Sequence, residues 1–125
     1  MHMLKTIENF IAMVEANKHI EAVEHFYVVN ATLKDNQSTE TRGKERRIEN
    51  EKKLLSTIKK MHSKCVQPYF VKDNNVVIKW QFRFEFKNDT SIDIEEIAYQ
   101  QWNNGQIENE QFFFDPKQLI PKPIS

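Results

Sequence analysis

Between Ile78 and Phe86 every second residue is apolar and bulky. Ile78, Trp80, Phe82, Phe84 and Phe86 alternate with Lys79, Gln81, Arg83 and Glu85. Successive side chains of an extended chain point to opposite faces. This run is therefore a half-buried antiparallel strand with one aromatic and one charged face. Such a strand needs neighbours to complete its ladder and an apolar cover for its aromatic side, and both must come from the rest of the chain.

The neighbours follow from turn chemistry. Lys87-Asn88-Asp89 and Asn103-Asn104-Gly105 read as turns that bracket a strand from Ile92 to Trp102. A last strand runs from Ile107 to Phe114, where Asp115-Pro116 ends it. Upstream, Val66 to Lys72 is strand-like but broken by Pro68, and Asp73-Asn74-Asn75 reads as a turn.

The cover comes from the first half. Ile7, Phe10, Ile11 and Val14 recur at i, i+3, i+4 and i+7, the apolar face of a helix. After a break at Ala16-Asn17-Lys18, a second helical pattern holds Ile20, Val23, Phe26 and Tyr27. Ala31-Thr32-Leu33 reads as a short strand and Lys34 to Thr41 as a polar loop. Gly43 then precedes a third helix, roughly from Lys44 to His62, with Ile48, Leu55, Ile58 and Met61 or His62 as its stripe. The expected class is α+β: N-terminal helices packed on a strongly curved antiparallel sheet, since long strands twist and coil. A sheet curled around the helices makes a cone with a central cavity walled by the aromatic face.

With 125 residues, two Gly and no linker or repeat, the expectation is one domain over residues 1–125. Nine Lys/Arg stand against three Glu from Arg42 to Lys64, and eight acids against one Lys from Glu85 to Asp115. These cancel to zero net charge, and no aromatics interleave with the basic run, so it reads as a solvated helix face and not a nucleic-acid surface. Met1 to Asn17 carries Lys5, Glu8 and Glu15, unlike a signal peptide, and no stretch reaches membrane-spanning length. Cys65 is the only cysteine, which rules out an intramolecular disulfide. These features point to a cytoplasmic protein with neither nucleic acid nor membrane as partner. His19, His25 and His62 lack carboxylates at ligand spacing, so no metal is expected, and no nucleotide-binding fingerprint suggests a cofactor.

The order of elements resembles the nuclear transport factor 2-like superfamily, particularly its SnoaL-like and steroid-isomerase-like branch, over residues 4–118. The resemblance rests on His25-Phe26-Tyr27, Ala31-Thr32-Leu33-Lys34-Asp35, Gly43, the Trp80-to-Phe86 strand, Asn104-Gly105-Gln106-Ile107 and Phe113-Phe114-Asp115. It implies a cystatin-like cone with an open mouth, and commonly a homodimer packed through the sheet. In the steroid-isomerase branch an Ala-Thr-Val-Glu-Asp segment ends in the carboxylate that moves a proton, and Asp35 stands at that position. The branch's oxyanion donors, a Tyr and a protonated Asp, correspond to positions near Ile11 and Ala98, which have nothing to donate. Steroid-type isomerisation is therefore not expected.

Strand parity adds the remaining candidates. The alternation that turns Trp80, Phe82 and Phe84 inward also suggests Glu96, Ala98, Gln100 and Trp102 on the next strand and Glu110, Phe112 and Phe114 on the last. A one-residue slip would send them all to solvent. The expected site has Asp35 and Glu110 as catalytic carboxylates. Trp80, Phe82, Phe84, Glu96, Tyr99, Gln100, Trp102, Phe112 and Phe114 would contact a small hydrophobic molecule bound without a cofactor. Blander readings stand beside it. Asp35 could close an Asx turn with Gln37, the aromatic face could be core alone, and the acids could face solvent. On those readings the chain is a non-catalytic homodimer meeting its copy through Arg83, Glu85, Glu95 and Tyr99.

Overall fold

In a computed structural model, residues 3–124 are described. Met1, His2 and Ser125, which the one-domain expectation included, lie outside the described residues. Helices α1 (Met3–Glu15) and α2 (His19–Phe26) lead into strand β1 (Tyr27–Asp35) and a short β2 (Thr41–Arg42). Helix α3 (Lys44–Leu55) precedes four long strands: β3 (Ile58–Lys72), β4 (Asn75–Phe86), β5 (Thr90–Asn103) and β6 (Gln106–Phe113). A single 3-10 turn (Pro116–Leu119) and β7 (Lys122–Pro123) close the chain.

The helical faces read from the spacing are the buried ones. Ile7, Phe10, Ile11 and Val14 of α1 and Ala22, Val23 and Phe26 of α2 all enter the core. The break between the helices is made by Asn17, which takes a left-handed conformation (φ 65°) that asparagine tolerates. Phe10 is the hub of the core. Its ring meets Phe26 edge-on at 5.4 Å, Trp102 at 5.7 Å and Trp80 at 6.3 Å.

The sheet order is β2-β1-β6-β5-β4-β3. On β4, Val76, Ile78, Trp80, Phe82 and Phe84 are buried, as the alternation requires. One ladder departs from the antiparallel expectation: β1 runs parallel to β6, pairing Leu33 with Glu110 and Asp35 with Phe112. Strand direction is set by how the chain returns across the sheet, and residue alternation carries no record of it. β1 is also longer than expected, taking in Tyr27 and running to Asp35.

The third helix is shorter than its stripe suggested. It ends at Leu55, and Ser56 and Thr57 turn their hydroxyls back onto the carbonyls of Lys53 and Leu54. Ile58 and Met61 belong to β3. The pairing with β4 shifts register between Ile58 and Lys60, so one extra residue sits there. That bulge puts residues three apart on the same face and so imitates helical spacing.

β5 outruns β6. Beyond Ile97 the ladder to β6 stops, and the C-terminal segment takes over that edge. Gln118 bonds both the N–H and the carbonyl of Glu95 (2.6 and 3.1 Å), and β7 pairs with Thr90 and Ser91. An edge that would otherwise offer unpaired backbone groups is thereby covered.

Candidate functional site

Between α2, α3 and the concave face of the sheet lies a cavity of about 330 Å³. Its aromatic wall comes from β4. Trp80 stacks on Phe82 at 5.6 Å and Phe82 on Phe84 at 5.8 Å, and Phe112 and Phe114 also line the space. Four acids line this apolar space: Asp35 from the end of β1, Glu51 from α3, Glu96 from β5 and Glu110 from β6.

Glu110 is buried and fully engaged. It accepts from the Tyr27 hydroxyl, from Arg47 Nη1 at 2.9 Å and from Gln100 Nε2 at 2.6 Å. Gln100 is itself held by Trp102, whose Nε1 donates to its Oε1 at 2.9 Å. Arg47 reaches in from α3, where Glu51 lies one turn on, 3.7 Å from Nε. The guanidinium sits 5.0 Å from the centre of the Tyr27 ring and 5.4 Å from that of Phe112, a cation over two aromatic faces. Burial alone would discourage its charge, but the neighbouring Glu110 and Glu51 outweigh that and hold it protonated. Burial, and then the Glu110 charge, push the Tyr27 hydroxyl well above its usual range.

Glu96 is the counterpart without a partner. It stands directly across from Trp80 on the neighbouring strand, and its carboxyl forms no hydrogen bond or ion pair with any described residue. Burial, and then repulsion from Glu110, push its carboxyl up to about 8, with Arg47 pulling the other way. At neutral pH it is therefore largely an uncharged acid, able to donate a proton. Asp35, at the mouth, is raised chiefly by burial, against the pull of Arg47. His19 completes the polar lining. Its Nε2 lies 2.9 Å from Ser63 Oγ, its ring edge meets Phe82, and burial lowers its pKa.

Most of the residues expected at the site line the cavity: Asp35, Trp80, Phe82, Phe84, Glu96, Glu110, Phe112 and Phe114. Three do not. Tyr99 has the opposite parity and stands on the outer face, 43% exposed, bonding Asn75 at 3.2 Å. Trp102 is packed in the core against Phe10 and Phe26, and Gln100 sits behind Glu110 as its donor. The Asx turn does not form either. Backbone Ser38 N–H to Asp35 carbonyl closes that turn at 2.9 Å, leaving the carboxylate to the cavity. Arg47 was hidden inside a basic run that reads as solvated. The signal that could have singled it out is its place beside the buried Ile48 and four residues before Glu51.

No protein-family model matches the sequence, and no curated protein matches it. Solved structures do match. A protein of unknown function from Burkholderia pseudomallei, described as NTF2-like, superposes with a TM-score of 0.78 at 12% identity, over 96% of this chain and 95% of that one. An epoxide hydrolase of LEH-like type from M. tuberculosis gives 0.75 at 11% identity, over 94% and 85%. The fold is nuclear transport factor 2-like. A Jannaschia protein assigned as a SnoaL-like polyketide cyclase gives 0.74 at 12% identity, over 94% and 88%. The nuclear transport factor 2-like fold upholds the α+β cone read from the order of elements, and the SnoaL-like neighbour lies within the branch named there. At these identities the likeness extends to the fold and no further. No helix among the described residues is long and apolar enough to cross a membrane.

Proposed function

We propose that this chain, acting as one SnoaL-like domain in the cytoplasm, binds a small hydrophobic molecule in the cavity. It exchanges protons with that molecule through side-chain carboxyls, without a cofactor. The observation that carries the reading is the convergence of Glu96, Glu110 and Asp35 on one apolar cavity of about 330 Å³, within the size range of small-molecule sites. Within it the roles divide by environment. Glu96, uncharged at neutral pH, is the proton donor. Asp35, whose carboxylate partial burial makes more basic, is the acceptor. Glu110 and Arg47 are the fixed pair that orients the wall. The neutral Glu96 also supplies a hydrogen-bond donor to the cavity, which neither Ile11 nor Ala98 offers.

Thermal-shift screening with aromatic and steroid-like compounds tests the binding half, because a ligand that binds only the folded state raises the melting temperature. Hits should be lost when Leu54→Trp fills the mouth. Among hits that are turned over, Asp35→Asn should retain binding and lose turnover. A panel without a single stabilising compound contradicts the reading.

A second reading concerns the outer face of the sheet. Ile97, Tyr99 and Phe113 are 40%, 43% and 38% exposed there, and Ile97 is paired directly with Phe113. This apolar patch suits a homodimer packed through the sheet, with the cavities facing away from each other. The charged part of that face is satisfied within the chain, Arg83 with Asp93 at 2.9 Å and Lys79 with Glu95 at 3.2 Å. The contact would therefore centre on Tyr99 and Phe113, away from Arg83.

A further inference from the structure

Acidic side chains outnumber strongly basic ones around the cavity, even with Glu96 counted as uncharged. Asp35 on β1, Glu51 on α3, Glu96 on β5 and Glu110 on β6 all line it, against one strong base, Arg47. That guanidinium is already engaged by Glu110 at 2.9 Å and Glu51 at 3.7 Å. His19, on α2, is turned to Ser63. An anionic ligand would add to the excess, and a neutral one would leave it uncorrected. A cationic ligand would cancel it.

The cavity also shows how it accommodates a buried cation. Arg47 is held by a carboxylate on one side and by the faces of Tyr27 and Phe112 on the other. Glu96, on β5, offers the same two ingredients. Its carboxyl has no partner among the described residues, and it lies across from Trp80, which stacks on Phe82, with Phe114 also lining the space. Aromatic faces attract cations, and the attraction grows where water is excluded.

Building on the cavity reading above, we propose that the ligand is an amine: a small hydrophobic molecule whose basic nitrogen docks on Glu96 while its hydrocarbon part lies against Trp80, Phe82 and Phe114. The step balances simply. In solution the amine is an ammonium ion and Glu96 carries a proton. On binding, the ammonium–carboxylate pair forms and one proton leaves to solvent. Amine affinity should therefore rise roughly tenfold per pH unit below the Glu96 midpoint and level off above it. A neutral ligand that accepts a hydrogen bond from protonated Glu96 behaves oppositely, with constant affinity below the midpoint and weaker binding above.

The test is a pair of matched series, 2-phenylethylamine and tryptamine against 2-phenylethanol and tryptophol, titrated by calorimetry and ligand-observed NMR from pH 6 to 9. The proposal predicts that the amines bind more tightly than the alcohols at pH 8 and release one proton at pH 6. Glu96→Gln should weaken the amines at least roughly tenfold at pH 8 and abolish their pH slope, with the alcohols changed by less than about threefold. Alcohols that bind while amines do not, or amines whose affinity ignores pH and Glu96→Gln, overturn the amine assignment and leave the cavity reading intact. If neither series binds, the cavity reading falls along with the amine.

Discussion

Arg47 Nη1 lies 2.9 Å from Glu110 Oε1, closing an ion pair at the wall of a cavity also lined by Glu96, which has no such partner among the described residues. This asymmetry divides two like side chains into two chemical roles. Glu110 is a fixed, fully hydrogen-bonded charge. Glu96 is an acid that largely holds its proton at neutral pH.

Removing Arg47 should expose how much the pair matters. Arg47→Met strands a buried carboxylate whose side chain is 1% exposed, and breaking such a pair from one side costs about 3 kcal/mol or more. The double variant Arg47→Met/Glu110→Gln should recover most of that loss. Urea unfolding of the three proteins at pH 7 measures it. A single variant as stable as the double would mean that Glu110 does not depend on Arg47.

Tyr27→Phe removes one of the three donors to Glu110 and leaves Arg47 and Gln100 in place. A hydrogen bond to a charged acceptor contributes about 1.5–3 kcal/mol, so the loss should be smaller than for Arg47→Met. The ordering of the two variants is the prediction, read from their urea midpoints.

Stability should also depend on pH through Glu96. Its folded pKa is raised from 4.5 to about 8, so across that interval the folded chain holds a proton that the unfolded chain has released. Stability is then highest below pH 4.5 as far as this group is concerned, and declines as pH rises through 8, by up to about 1.4 kcal/mol per unit. Asp35 is shifted in the same direction, while the lowered pKa of His19 acts oppositely at its acid end. Comparing wild type with Glu96→Gln at pH 5 and pH 8 isolates the Glu96 contribution. The variant should lose distinctly less stability between the two conditions.

The limits of sequence reading here follow from what alternation and spacing encode. Period-two patterning placed the aromatic wall, and parity carried Glu96 and Glu110 to the same cavity, because inward and outward positions simply alternate. Tyr99 failed the same parity, being an odd position on a strand whose inward residues are even. Ile58 and Met61 misled because a bulge copies helical spacing. The parallel β1–β6 ladder was invisible, since it depends on how the chain crosses the sheet. Arg47 was missed for a different reason. Its burial depends on Glu110, 63 residues away, and no local pattern announces that pairing.

The outer face gives a separate prediction. Tyr99→Asp with Phe113→Asp places charge on the exposed apolar patch and should leave a protein that sediments as a 15 kDa monomer where wild type sediments as a dimer. Neither residue lines the cavity, so ligand binding should persist in the variant. A wild-type chain that is already monomeric at high concentration would remove the dimer reading.

The most direct measurement of the central claim is the titration of the Glu96 carboxyl by carbon-13 NMR, assigned through Glu96→Gln and followed with and without a cavity ligand. The account predicts a midpoint near 8 in the free protein, displaced when a hydrophobic ligand is bound. A midpoint in the ordinary glutamate range, unmoved by any compound that stabilises the fold, would contradict it.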